Sequence, residues 1–175
     1  CNYFGLGQKN IYNMRYEPVA LLKDHHPRAH SSPSAQTILI APTWGPTSLV
    51  EGGHAAQIIA DLLTAQKRVI LRPHPETVKH KGNLLSELVS NFQPNGFFQY
   101  QPEVEQLNQL IEADVMITDW SGAAFDFSLG LGKPVLFVNT HPKINNPDHE
   151  ALGFAPIEVR CRQFLGVSMD PSQPV

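Results

Sequence analysis

Val115-Met116-Ile117-Thr118-Asp119-Trp120-Ser121-Gly122-Ala123-Ala124-Phe125-Asp126 is the stretch on which the fold turns. Its first four residues form a short apolar run, as a strand buried on both faces does. Ser121 is a good N-cap, so a helix is expected to begin at Gly122 and to run to Leu131. That helix is apolar most of the way round and should be deeply packed. Gly132 is its C-terminal stop. Pro134-Val135-Leu136-Phe137-Val138 then supplies the next strand. A strand, a tight turn, a buried helix and a second strand make up one unit of a parallel sheet.

The same alternation extends upstream. Ile38-Leu39-Ile40-Ala41 is an apolar run stopped by Pro42. Gly52-Gly53 precedes a helical pattern in which Ala55, Ile58, Ile59 and Leu62 share one face. Val69-Ile70-Leu71 is a second strand, ended by Arg72-Pro73. Leu85, Leu88, Val89 and Phe92 mark a second helix, Pro94-Asn95-Gly96 a turn, and Phe97-Phe98 a third strand. Val104, Leu107 and Ile111 lie on one face of a third helix. Downstream, Pro156-Ile157-Glu158-Val159 is expected as a sixth strand, after a long polar connection from Asn139 to Asp148 with no evident helix. The pattern predicts an α/β, Rossmann-like parallel sheet with helices on both faces.

Residues 1–36 have the composition of a connector. Gly5, Gly7, Asn10 and Asn13 break any periodicity, the segment from His25 to Ser34 is loop-like, and Val19-Ala20-Leu21-Leu22 is a short helix or strand. The expected organisation is a connector over 1–36, leading from an N-terminal domain of a longer protein, and one domain over 37–175. The formal charge of −3 argues against a duplex-binding module, which carries a basic surface. Cys1 and Cys161 have neither a disulfide framework nor zinc spacing around them. His25, His26, His30, His80 and His149 lack metal-ligand spacing and read as solvated; His54 opens a helix and is best explained that way. No metal and no cofactor is expected.

In an open parallel sheet, ligands sit beyond the carboxyl ends of the strands. Four segments occupy such positions: Pro42-Thr43-Trp44-Gly45, Arg72-Pro73-His74-Pro75, Thr118 to Gly122, and Asn139-Thr140-His141. The first-turn N–H groups of a helix point outward and favour anions. Small residues at Ser121, Gly122 and Ala123 let a phosphate approach that backbone, or simply permit a tight turn. Arg72 offers paired donors to phosphate oxygens. His74, held between two prolines, is the candidate catalytic group, as hydrogen-bond donor or general acid; the alternative is an exposed loop histidine. Asp126 sits in an apolar helix and needs a partner: backbone N–H groups, a cation or ribose hydroxyls. Asp119 is either a ligand contact or, as favoured, a cap for the turn. Thr43 and Thr118 complete the candidate contacts by their place at strand ends.

Taken together, Ala113 to Asp126, Gly132-Lys133-Pro134, Ile40 to Trp44, Arg72 to Pro75 and Lys143-Ile144-Asn145-Asn146-Pro147 resemble the signature segments of CDP-glycerol glycerophosphotransferases. The resemblance covers roughly Ile38 to Gly166. It implies the C-terminal, donor-binding half of a GT-B fold, facing an N-terminal domain across a cleft. It implies that Arg72, His74, Ser121 and Gly122 contact the donor's phosphates and that Asp126 faces the ribose. It further implies a polyol or glycan acceptor and a cytoplasmic place at the inner face of a membrane. The family usually carries a Tyr-Ser-Ser-like segment where this chain has Trp120-Ser121-Gly122. Ser121-Gly122-Ala123 leans toward the Ser-Gly-Gly of UDP-N-acetylglucosamine 2-epimerases. A UDP-sugar glycosyltransferase or such an epimerase is therefore the rival enzyme reading, and a nucleotide-binding or interaction domain without turnover the third.

Overall fold

The computed structural model describes residues 36–103, 108–142 and 155–175, together with 148, 151 and 153. Six strands form one sheet in the order β3-β2-β1-β4-β5-β6. They are β1 (Thr37–Ile40), β2 (Arg68–Leu71), β3 (Phe98–Tyr100), β4 (Val115–Thr118), β5 (Val135–Val138) and β6 (Gly166–Met169). Every neighbouring pair is parallel. The chain first builds outward from β1 to β3, then crosses back and builds the other way from β4. The strand order reverses between β1 and β4, which is the switch point where such sheets bind ligands.

The helices are α1 (Ala55–Thr64), α2 (Pro75–His80), α3 (Gly82–Phe92), α4 (Asn108–Glu112), α5 (Ala123–Phe125) and α6 (Ile157–Leu165). α5 continues directly into a π-helical turn, Asp126–Gly130. Alternation along the strands divides the core in two. Ile38, Ile40, Val69, Leu71 and Ile117 pack against Ile58, Ile59 and Leu62 of α1 and Leu85 and Leu88 of α3. Leu39, Ile70, Met116 and Phe137 face the other way, onto Leu110 of α4, Phe127 and Leu131 after α5, and Leu165 of α6. Both faces are thus covered, which is why the strands read as unbroken apolar runs rather than as alternating ones.

The expected strands β1 to β5 form within a residue or two of their predicted places. The sixth does not. Pro156 is the N-cap of α6, and residues 157–159 are its first turn. The strand follows the helix, at Gly166–Met169, and pairs with β5. A short apolar run fits a helix as well as a strand. Here a proline at the N-terminus and nine residues of length decide for the helix. The helix near Ser121 also starts one residue later than expected, with Gly122 as N-cap. Gly132 stops the segment with φ +65°, a left-handed value that favours glycine, and its N–H donates to the Ser128 carbonyl at 2.9 Å. Residues 1–35 of the connector, Val104, Leu107 and Lys143–Pro147 lie outside the described residues.

Candidate functional site

The loops leaving β1, β2 and β4 enclose a cleft of about 510 Å³, of ordinary size for a ligand site. Pro42 and Thr43 form one wall, Arg72, Pro73 and His74 a second, and Ser121, Gly122, Ala123 and Asp126 a third. Residues more than 40 positions apart in sequence thus meet on one cavity at the switch point.

Arg72 directly follows β2 and is only 9% exposed, so its guanidinium stands in the cleft wall largely out of water. Burial pulls its pKa below the usual value, and the nearby Asp126 carboxylate pushes it back. A cation held partly out of water is suited to binding an incoming anion, for which the Asp126 carboxylate is a competitor.

His74 has two tasks. It is the N-cap of α2, with Pro75 as the first helical residue. Its Nδ1 accepts the Glu76 N–H at 3.1 Å. The neutral ring therefore carries its proton on Nε2, a hydrogen-bond donor. Trp44 lies beside it, with ring centroids 6.1 Å apart. Glu51 ties the two loops together: it accepts the Gly45 N–H at 2.8 Å and the Thr77 hydroxyl at 3.2 Å.

At the third wall, the Ser121 hydroxyl accepts the Ala123 N–H at 3.3 Å. The N–H groups of Ala124 and Phe125 bond to the carbonyls of Ser121 and Gly122. The amides of Ser121 and Gly122 themselves make no hydrogen bond among the described residues. Gly122 has φ −63° and ψ −20°, which any residue adopts, and a Cβ built there meets nothing within 4 Å. Neither backbone strain nor packing requires a glycine at this position.

Two of the candidate contacts are absorbed by the fold instead. Thr118 is fully buried, and its hydroxyl donates to the Ala41 carbonyl at 2.6 Å, joining β4 to the end of β1. Asp119 is 1% exposed. Its carboxylate accepts the N–H groups of Thr43 at 2.7 Å, Leu49 at 2.8 Å and Trp120 at 2.7 Å. Neither side chain lines the cleft. Both hold the loops that do, and the Asp119 carboxylate is engaged by the main chain of two of them. Asn139 and Thr140 are likewise used internally: Asn139 Oδ1 accepts from Arg162, and the Thr140 carbonyl accepts the Trp120 indole N–H at 2.9 Å.

Arg162 is the residue the sequence did not single out. It is 7% exposed on α6 and reaches main-chain groups of two strand-end loops. Leu110 of α4 also lines the cleft, and the sequence did not single it out either.

The model of one protein family, CDP-Glycerol:Poly(glycerophosphate) glycerophosphotransferase, matches residues 10–143, well over half of the chain. The chain belongs to that family. No curated protein matches it. Among solved structures, a variant of the Wall Teichoic Acid Polymerase TagF soaked with CDPG is similar at 18% identity and a TM-score of 0.42, over 70% of this chain and 27% of that one. Another TagF structure gives 20% identity and a TM-score of 0.42, over 69% of this chain and 28% of that one. The UDP-GlcNAc 2-epimerase of Methanocaldococcus jannaschii, in complex with UDP-GlcNAc and UDP, gives 13% and 0.49, over 90% of this chain and 38% of that one. The glycerophosphotransferase-family chain therefore spans well under half the length of each of these neighbours. Among its described residues, no helix is long and apolar enough to cross a membrane.

Proposed function

We propose that this chain is the donor-binding domain of a transferase that moves glycerol phosphate from CDP-glycerol to an acceptor hydroxyl. Family membership supports the reaction class. The observation that carries the placement is that Arg72, His74, Ser121 and Gly122 line one cleft at the switch point. These are donors from two separate loops, those after β2 and β4, and a pyrophosphate is the part of the proposed donor that needs them.

In this reading the acceptor oxygen attacks the phosphorus that bears glycerol. The bond from that phosphorus to the bridging oxygen breaks, and cytidine monophosphate leaves with the electron pair. Negative charge grows on the leaving phosphate. Arg72 and the two amides offset it, and Nε2–H of His74 donates to its oxygen. The acceptor's proton goes to a base outside the described cleft, on a facing N-terminal domain such as a GT-B architecture provides. The acceptor is a polyol or glycan, and the working place is the inner face of a membrane.

Calorimetric titration of the purified chain with CDP-glycerol, CDP and UDP-N-acetylglucosamine tests the donor. CDP-glycerol is expected to bind, weakly, and without turnover. Tighter binding of the UDP compound would replace this reading with a sugar-nucleotide enzyme, and turnover by the chain alone would overturn the need for a facing domain.

A further inference from the structure

We propose that Arg162 is a positioning residue for the cleft, fixing the turn after β4 on which the Ser121 and Gly122 amides are presented. The proposal rests on the reading that this turn holds the donor's phosphates. Arg162 lies behind the cleft wall and is not part of its lining.

Its guanidinium is a bridge between loops. Nη1 donates to the Asp119 carbonyl at 3.2 Å, in the loop after β4. Nη2 donates to the Val138 carbonyl at 3.4 Å and to Asn139 Oδ1 at 3.1 Å, at the end of β5. Its central carbon also lies over two rings, 4.1 Å from the centre of Trp120 and 4.5 Å from that of Phe137. Trp120 in turn reaches the Thr140 carbonyl through its indole N–H.

The residue whose carbonyl Arg162 grips is the one whose carboxylate gathers the Thr43 and Leu49 amides. One side chain on α6 thus sets the mutual placement of the loops after β1, β4 and β5. Ser121 stands two residues beyond Asp119 and one beyond Trp120, so it has little freedom to move while both neighbours are held. A helix needs no such arginine merely to pack: its core contribution here comes from Leu165. A planar fork whose two terminal nitrogens hold separate loops, and which also contacts two rings, is a device for orientation, and lysine cannot reproduce it.

The test compares the wild-type chain with Arg162→Met and Arg162→Lys, by nitrogen-15 NMR without ligand and by calorimetry with CDP-glycerol. Both variants are expected to displace the amide signals of Ser121 and Gly122 while leaving that of Gly96, on the turn before β3, in place. Both should weaken CDP-glycerol binding at least tenfold at temperatures where they are folded. A folded variant with lower thermal stability but unmoved Ser121 and Gly122 signals and unchanged affinity overturns the proposal. Should Arg162→Met not fold, Arg162→Lys carries the same comparison. A wild-type chain that does not bind CDP-glycerol overturns the donor reading instead, and the two amide signals then decide the Arg162 proposal alone.

Discussion

The backbone N–H of Glu76 donates to Nδ1 of His74 at 3.1 Å, so one ring nitrogen closes the start of α2 while the same side chain belongs to a residue that lines the cleft, and in the proposed reading its Nε2 serves the donor. Structural and ligand-directed duties are thus divided between two atoms of one side chain, and substitution can separate them. Asparagine caps a helix about as well as any residue, whereas alanine loses the cap at a cost of about 1 kcal/mol. His74→Asn is expected to keep wild-type thermal stability and His74→Ala to lose that amount. Both should lose affinity for CDP-glycerol to a similar extent, since neither presents an imidazole N–H. Wild-type affinity in a stable His74→Asn chain would reduce His74 to a cap.

Gly122 yields the opposite pattern. Its backbone is ordinary helix and the space beside it is empty, so a methyl group harms nothing in the free chain. Gly122→Ala is expected to leave stability unchanged or to raise it by about 0.4–1 kcal/mol, through the unfolded state. CDP-glycerol binding should nevertheless fall about tenfold, because the added carbon stands where a phosphate oxygen approaches the amide. Melting curves and calorimetry read the two effects separately. Equal affinity would mean that no ligand comes close to this backbone.

The charge on Arg72 is maintained against burial by Asp126. Asp126→Asn removes that support. The carboxylate is half-buried, so the stability loss should fall between the ~1 kcal/mol of an exposed pair and the ~3 kcal/mol of a buried one. Inorganic pyrophosphate is expected to bind the variant more tightly than the wild type, since it no longer competes with a fixed anion for Arg72. Weaker pyrophosphate binding would place Asp126 among the direct supports of the ligand. A loss confined to ribose-containing ligands would assign it to the sugar.

Much of this was readable in advance where the information is local. Ile38 to Ile40, Val69 to Leu71 and Val115 to Thr118 announce buried strands because each is a continuous apolar run, and Pro42 or Arg72-Pro73 ends it at a ligand-binding edge. The three cleft walls follow, since the switch-point rule needs only strand order and strand ends. What stayed hidden depends on partners distant in sequence. Nothing near Arg162 shows that its donors meet main-chain oxygens of Asp119 and Val138. Thr118 and Asp119 stand at the right strand end for ligand contacts, and only the fold reveals that Ala41, Thr43 and Leu49 claim them first. β6 was misplaced because Gly166 to Met169 is short and half exposed, with no apolar run to mark it.

Asp119 itself supports a prediction about pH. Its carboxyl is buried, and burial raises its pKa above the ordinary carboxylate value although four backbone N–H groups, its own among them, pull the other way. With the folded value raised, the native chain takes up this proton before the unfolded chain does as pH falls. The contribution to stability is then complete below about pH 3.9, the unfolded value, and is lost as pH rises through the folded value. Asp119→Asn has no such group. The stability advantage of the wild type over this variant, from urea unfolding at a series of pH values between neutral and 4, should therefore grow as pH falls. The limiting slope is about 1.4 kcal/mol per pH unit. An advantage that shrinks toward acid would show that these backbone N–H groups outweigh burial. The loop after β1, and with it the Thr43 wall of the cleft, would then open in acid instead of holding.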